Sequence, residues 1–197
     1  MILVTGGCRS GKSEFAEKLT KAGGSRFLYM ATAKITDEAM AERVRRHQAR
    51  RADAWDVHEG YVNLEDVLAS EAEKYDGILL DSASTMVTNL LFDDIGDADW
   101  DSFDFSTVDY KAAEEKIIEQ FLQFEKAARS CGTKLVVVTD EIGLGVVPDT
   151  YLGRAFRDIL GRINQLLAAA AEDVWFVVSG IPVAVKKDGQ TAGGIRL

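Results

Sequence analysis

The stretch Gly6-Gly7-Cys8-Arg9-Ser10-Gly11-Lys12-Ser13 constrains this chain more than any other. It satisfies G-x-x-x-x-G-K-[ST] at every fixed position. Residues 2–5 before it are apolar and β-branched, and residues 13–21 after it place Phe15, Ala16 and Leu19 at helical spacing. A strand, a glycine loop and a helix in that order make a cradle for phosphate. Glycine lets the backbone curl until its N–H groups point inward, and the helix adds the positive end of its dipole. In such a cradle Gly6, Gly7, Cys8, Arg9, Ser10 and Gly11 supply the ring. Lys12 reaches the β- and γ-phosphates of a nucleoside triphosphate, and Ser13 ligates magnesium.

Apolar runs alternate with amphipathic segments along the whole chain. Strands are expected at 27–31, 55–58, 78–80, 135–139 and 174–179, and helices at 37–51, 64–74, 85–92, 111–129 and 152–171. Continuous apolar strands between helices predict an α/β fold. The expectation is a RecA-like P-loop NTPase whose mainly parallel sheet is flanked by helices on both faces. Ligands of such sheets lie at the carboxyl ends of the strands, so Thr5, Asp81 and Asp140 should converge on one crevice. Asp81 follows Ile78-Leu79-Leu80 in the form of a magnesium-site carboxylate. Spacing alone allows it equally to cap the next helix, and Asp140 competes for the metal role. Glu141 fits a base, a nucleotide contact or a structural group. Residues 1–183 read as one domain, residues 93–104 as an acidic loop, and residues 184–197 as a polar, glycine-rich tail of unknown role.

Composition narrows the partners. Hydrophobic residues make up 47% of the 197, enough for a sizeable core. Lysine and arginine number 23 against 32 acidic residues, a net charge of −9, which argues against nucleic acid as the main partner. Cys8 and Cys131 form neither a disulfide framework nor a metal pattern, and fit a reducing, cytoplasmic setting. No apolar run approaches the roughly 18 residues of a membrane helix, and the first residues reach charge too soon for a secretory leader.

One segment runs against the acidic average. Arg43, Arg45, Arg46, Arg50 and Arg51 surround His47, and Arg43, His47 and Arg50 share one helical face. Read from the residues alone, a solvated helix face is the simpler account. The chemical alternative is an imidazole kept neutral by its cationic neighbours and free to attack phosphorus, with the arginines holding phosphate oxygens.

Several ordered blocks together carry a resemblance. They are Ile2-Leu3-Val4-Thr5-Gly6-Gly7 with the loop through Ser13; Tyr29-Met30-Ala31-Thr32; Met40 through His47 with Arg51 and Trp55; and Thr85-Met86-Val87-Thr88-Asn89-Leu90-Leu91. Further on come Glu141-Ile142-Gly143-Leu144-Gly145-Val146-Val147-Pro148, Phe156-Arg157-Asp158, Gly161-Arg162-Ile163-Asn164-Gln165 and Val177-Val178-Ser179-Gly180. Over roughly residues 1–183 the chain resembles the bifunctional adenosylcobinamide kinase/adenosylcobinamide-phosphate guanylyltransferases of cobalamin biosynthesis. The resemblance implies two reactions. ATP or GTP phosphorylates adenosylcobinamide, and GTP then transfers GMP to adenosylcobinamide-phosphate through a guanylyl-histidine. The matching histidine here is His47. Joined to the readings above, the expected site is the phosphate loop with Arg43, Arg50 and Glu141 at the nucleotide, and Ser13 and Asp81 serving magnesium. A homotrimer is implied as well. The chain departs from the family pattern at Cys8 for alanine, Ala52 for proline, Asp140 for asparagine, and Ser82 and Ser84 for cysteine and threonine. Without the resemblance, a P-loop small-molecule kinase lacking nucleotidyl transfer and a GTP-binding regulatory module stay open. The chain has no Asn-Lys-x-Asp guanine signature, and its acidity opposes a DNA-dependent ATPase.

Overall fold

The computed structural model describes residues 1–34, 55–96 and 102–192. Their strands form one sheet in the order β3-β2-β4-β5-β1-β6-β7-β8. Strands β1 (Ile2–Gly6), β2 (Phe27–Ala31), β3 (Trp55–Glu59), β4 (Gly77–Asp81), β5 (Lys134–Asp140) and β6 (Asp173–Val178) run parallel. Strand β7 (Ile181–Lys187) and the short β8 (Gln190–Thr191) close one edge in antiparallel fashion. The helices are α1 (Lys12–Lys21), α2 (Leu64–Glu71), α3 (Ala83–Ile95), α4 (Tyr110–Ser130) and α5 (Tyr151–Ala170). This is the α/β P-loop fold that the alternating pattern predicts.

The strand order explains which face each helix covers. Crossovers between parallel strands are almost always right-handed. From β1 to β2 the chain steps toward the β3 edge, which puts α1 on one face. From β3 to β4, β4 to β5 and β5 to β6 it steps the other way, which puts α2, α3, α4 and α5 on the opposite face. The two cores follow. Leu3, Met30, Leu80, Val137 and Val174 point into the cluster with Met86, Phe121, Phe124 and Ile163. Val4, Tyr29, Leu79, Val138 and Val177 point the other way, against Ala16 of α1. Strands buried on both sides must be apolar at consecutive positions, as β4 and β5 are.

Three expectations are corrected. Helix α3 starts earlier than residue 85, because the Ser82 side chain accepts from Thr85 N at 3.2 Å as N-cap. It also runs on through Asp93 and Asp94 to Ile95, with Gly96 at φ 78° as its C-cap, so these two aspartates belong to the helix and not to the acidic loop. Asp93 accepts from Tyr61 at 2.6 Å, and Asp94 pairs with Lys116. Residues 64–74 do not form one helix: α2 ends at Glu71 and a 3-10 turn, Ala72–Lys74, completes the segment. The first residues of the tail read from residue 184 are not irregular, since β7 carries Ile181–Lys187 into the sheet.

The β6–β7 hairpin is tied down at its base. Lys186 Nζ donates to the Ala168 and Ala169 carbonyls at the end of α5, 3.0 and 3.1 Å away, a favourable place for a cation. Lys187 Nζ lies 2.6 Å from Asp173 Oδ2, and Asp188 N donates to Asp173 Oδ1 at 3.0 Å. Burial alone would raise the Asp173 carboxyl, but the Lys187 hydrogen bond, the Asp188 amide and the Lys187 charge outweigh it and hold it below its ordinary value. A lowered carboxyl contributes stability above its unfolded pKa and loses it as pH falls through the folded one. Asp173→Asn should therefore melt earlier than the parent at neutral pH, with the gap closing in strong acid. Thermal melts with an equal gap at every pH would show that the ionised carboxylate is not what matters.

Candidate functional site

The carboxyl ends of β4, β5 and β1 lie side by side because β5 sits between the other two. Gly6 pairs with Asp140 in register, and Asp81 is level with Val138. The crevice expected from the sequence is therefore formed, with the glycine loop over it.

The loop is held from several directions. Ser10 N donates to Gly7 O at 3.2 Å, and Gly180 N donates to Ser10 O at 2.8 Å, so the turn between β6 and β7 buttresses it. Two glycines are required for physical reasons. A Cβ on Gly6 would lie 2.5 Å from the Val177 carbonyl oxygen. Gly11 has φ +92°, and a Cβ there would lie 3.3 Å from Gly180 Cα. Gly11 caps α1 with no side-chain hydrogen bond, which leaves first-turn amide donors for an outside acceptor. Arg9 also has positive φ, 55°, and successive amides in such a turn form an anion-binding concavity.

Lys12 is the most buried cation of the site, with its side chain 11% exposed. Its Nζ donates to Gly7 O at 3.2 Å and lies 2.5 Å from Asp140 Oδ1. The other oxygen of Asp140 accepts from Ser84 Oγ at 2.6 Å. Asp81 is engaged differently: its Oδ2 accepts from the buried Tyr29 hydroxyl. Because Ser82 caps α3, the capping alternative for Asp81 falls away. Glu141 follows directly. Its N–H donates to Gly6 O at 3.1 Å and its Oε1 accepts from Gly143 N at 2.6 Å.

A cavity of about 380 Å³ opens beside the loop, lined by Gly7, Cys8, Arg9, Glu141, Leu144 and Phe176 among others. Donors from the loop on one wall and apolar side chains on the other suit a ligand with an anionic end and a flat or apolar body. A larger groove of about 630 Å³ lies at the opposite, amino end of the strands, around Met1, Thr133 and Lys134, and holds none of the expected site residues. The serine hydroxyl of Ser13 and the carboxylates of Asp81 and Asp140 are hard oxygen donors of the kind magnesium takes. Among the described residues no group of three or more His, Cys, Asp and Glu could hold a metal by itself.

His47, Arg43 and Arg50 lie outside the described residues. The connection carrying them leaves the sheet after β2, where Thr32 N donates to Asp81 O at 3.3 Å, on the same edge as the phosphate loop. Two participants were given no role by the sequence reading: Ser84, noted there only as a departure from the family pattern and 4% exposed, and Tyr29, noted only as part of a resemblance block.

The model of a family described as cobinamide kinase / cobinamide phosphate guanyltransferase matches residues 2–185. A protein of Escherichia coli (strain K12) named bifunctional adenosylcobalamin biosynthesis protein CobU is 46% identical over 186 residues, covering 94% of this chain and 99% of that one. A Salmonella typhimurium protein of the same name is 46% identical over 187 residues, with the same coverage. In Pseudomonas aeruginosa, bifunctional adenosylcobalamin biosynthesis protein CobP is 34% identical over 184 residues, covering 93% of this chain and 96% of that one.

Proposed function

The chain belongs to the cobinamide kinase / cobinamide phosphate guanyltransferase family, and from that premise we propose that it carries out both reactions, with one phosphate loop serving each. In the first, ATP or GTP phosphorylates the hydroxyl of adenosylcobinamide. In the second, GTP transfers GMP to adenosylcobinamide-phosphate, giving adenosylcobinamide-GDP and pyrophosphate. The observation that carries this reading is the loop itself: curled by Gly6 and Gly11, buttressed by Gly180, with the Lys12 ammonium at its centre.

The roles follow from charge. Loop amides and the first turn of α1 bind the β- and γ-phosphates. Lys12 sits where negative charge spreads over phosphoryl oxygens, in the kinase step on the transferred group and in the nucleotidyl step on departing pyrophosphate. Ser13 and a strand-end carboxylate, assigned to Asp81, would hold magnesium, which would supply positive charge to offset that of the phosphates. His47 is the nucleophile toward the α-phosphorus. Its ring nitrogen forms the phosphorus–nitrogen bond as the bond to pyrophosphate breaks. The acceptor phosphate then displaces the histidine. Arg43 and Arg50 hold the α-phosphate oxygens, and Glu141 lines the nucleotide cavity.

The cytoplasm, where Cys8 and Cys131 stay reduced, and a trimeric assembly belong to the same proposal. Leu144, Val146, Val147, Ile181 and Val183 are exposed apolar side chains, a surface that a second copy could cover. Light scattering that returned a lone chain would remove the trimer. No helix among the described residues is long and apolar enough to cross a membrane.

The deciding test is incubation with α-labelled GTP and magnesium, followed by mapping of the label. The expected product is a stoichiometric adduct at His47, acid-labile and base-stable as a phosphoramidate is. A kinase without nucleotidyl transfer, or a GTP-binding switch, retains no covalent label.

A further inference from the structure

Asp140 is fixed at both oxygens. Oδ1 lies 2.5 Å from Lys12 Nζ, and Oδ2 accepts from Ser84 Oγ at 2.6 Å. Behind Ser84 runs a chain of hydroxyls: Ser84 Oγ is 2.9 Å from Ser82 Oγ, which is 2.8 Å from Thr85 Oγ1. Each hydroxyl has one proton to give. Ser84 gives its proton to the carboxylate, so Ser82 must donate to Ser84 and Thr85 to Ser82. The whole chain is thereby polarised toward Asp140. Ser82 and Ser84 are buried, and the Thr85 amide further anchors Ser82. The carboxylate is held on a rigid strand end and a helix start rather than on a mobile side chain.

Resting on the phosphate-loop reading above, the geometry points to Asp140, pinned by Ser84, as the residue that makes triphosphate capture depend on magnesium. The ammonium of Lys12 has three protons, and two of them already face Gly7 O and Asp140 Oδ1. An incoming triphosphate competes with Asp140 for that ammonium. The pinned carboxylate cannot swing away, so it stays beside the phosphates as a fixed negative charge. A triphosphate arriving alone meets repulsion at short range in a partly desolvated site. One arriving with a divalent cation carries its own compensation, and the repulsion is largely cancelled. Ser84 is thus a positioning residue that acts through Asp140. Asp140 discriminates between the two forms of the nucleotide.

Equilibrium binding of GTP by calorimetry, at fixed ionic strength, with excess EDTA or with magnesium, tests this on the full-length chain. Asp140→Asn keeps the shape and still accepts from Ser84. It should bind GTP in EDTA about tenfold more tightly than the parent, so that the ratio of magnesium to EDTA affinity narrows. Ser84→Ala should narrow the magnesium-to-EDTA ratio in the same direction but less, and Ser84→Thr should restore the parent ratio. A merely structural role for these residues would lower the melting temperature and leave the ratio unchanged. If Asp140→Asn shows the parent ratio while Lys12→Ala loses GTP binding, this inference is overturned and the phosphate-loop reading stands. If Lys12→Ala binds GTP as the parent does, both fall.

Discussion

Replacing Lys12 with alanine should leave a folded protein that neither phosphorylates adenosylcobinamide nor labels itself with GTP at a useful rate. The expected fall in kcat/KM is about 10²- to 10³-fold in each reaction, the usual cost of removing one preorganised charge contact to a phosphoryl transition state, or about 3–4 kcal/mol. Both activities should fall together, because the same ammonium faces the β- and γ-phosphates whether γ is transferred or pyrophosphate leaves. The fold should tolerate the change. Lys12 belongs to the first turn of α1, alanine is a good helix former, and the abandoned Asp140 side chain is 35% exposed and can hydrate. Lys12→Arg separates charge from shape. A guanidinium is planar and bulkier than an ammonium, and the lysine tip is boxed between Gly7 O and Asp140. Arginine should therefore rescue neither reaction. Full activity of either variant would show that phosphate is held elsewhere.

What the sequence made legible was local. The loop could be read because each glycine answers a steric demand of its own backbone, and the sheet because buried parallel strands must be apolar throughout. The Ser13, Lys12 and Asp81 positions came from the same short-range logic. What was illegible depended on which elements become neighbours. Lys12 meets Asp140 only because β5 lies between β4 and β1, and no spacing within either segment announces it. Whether Asp81 caps α3 turned on its neighbour: Ser82, extended with φ −141°, takes that place. Strand β7 was missed for a different reason. Ile181, Val183 and Val185 alternate as a strand should, but the polar, glycine-rich composition from residue 184 on masked the alternation. The chain uses Pro182 where the sheet is nearly at its edge, and turns Lys186 and Lys187 into ties to α5 and Asp173.

His47→Ala should divide the two activities that Lys12→Ala removes together. The variant should form no covalent GMP adduct and make no adenosylcobinamide-GDP, while its kinase kcat/KM stays within about threefold of the parent. The asymmetry follows from the bonds broken. Kinase transfer goes from the γ-phosphorus directly to a substrate hydroxyl and needs positioning and charge, both supplied by the loop, α1 and Lys12. Guanylyl transfer attacks the α-phosphorus, and the acceptor is a phosphate, a poor nucleophile bearing the same charge as its target. An imidazole solves that problem: it is uncharged, it attacks first, and it leaves a phosphorus–nitrogen bond that the acceptor phosphate can displace. Asp81 and Asp140 do not take that place, since they are anions engaged with Tyr29, Lys12 and Ser84. The labelling experiment and a steady-state kinase assay on one preparation decide the matter. Equal loss of both activities in a variant with the parent melting temperature would place His47 in substrate binding instead. An undiminished adduct at another residue would move the nucleophile there.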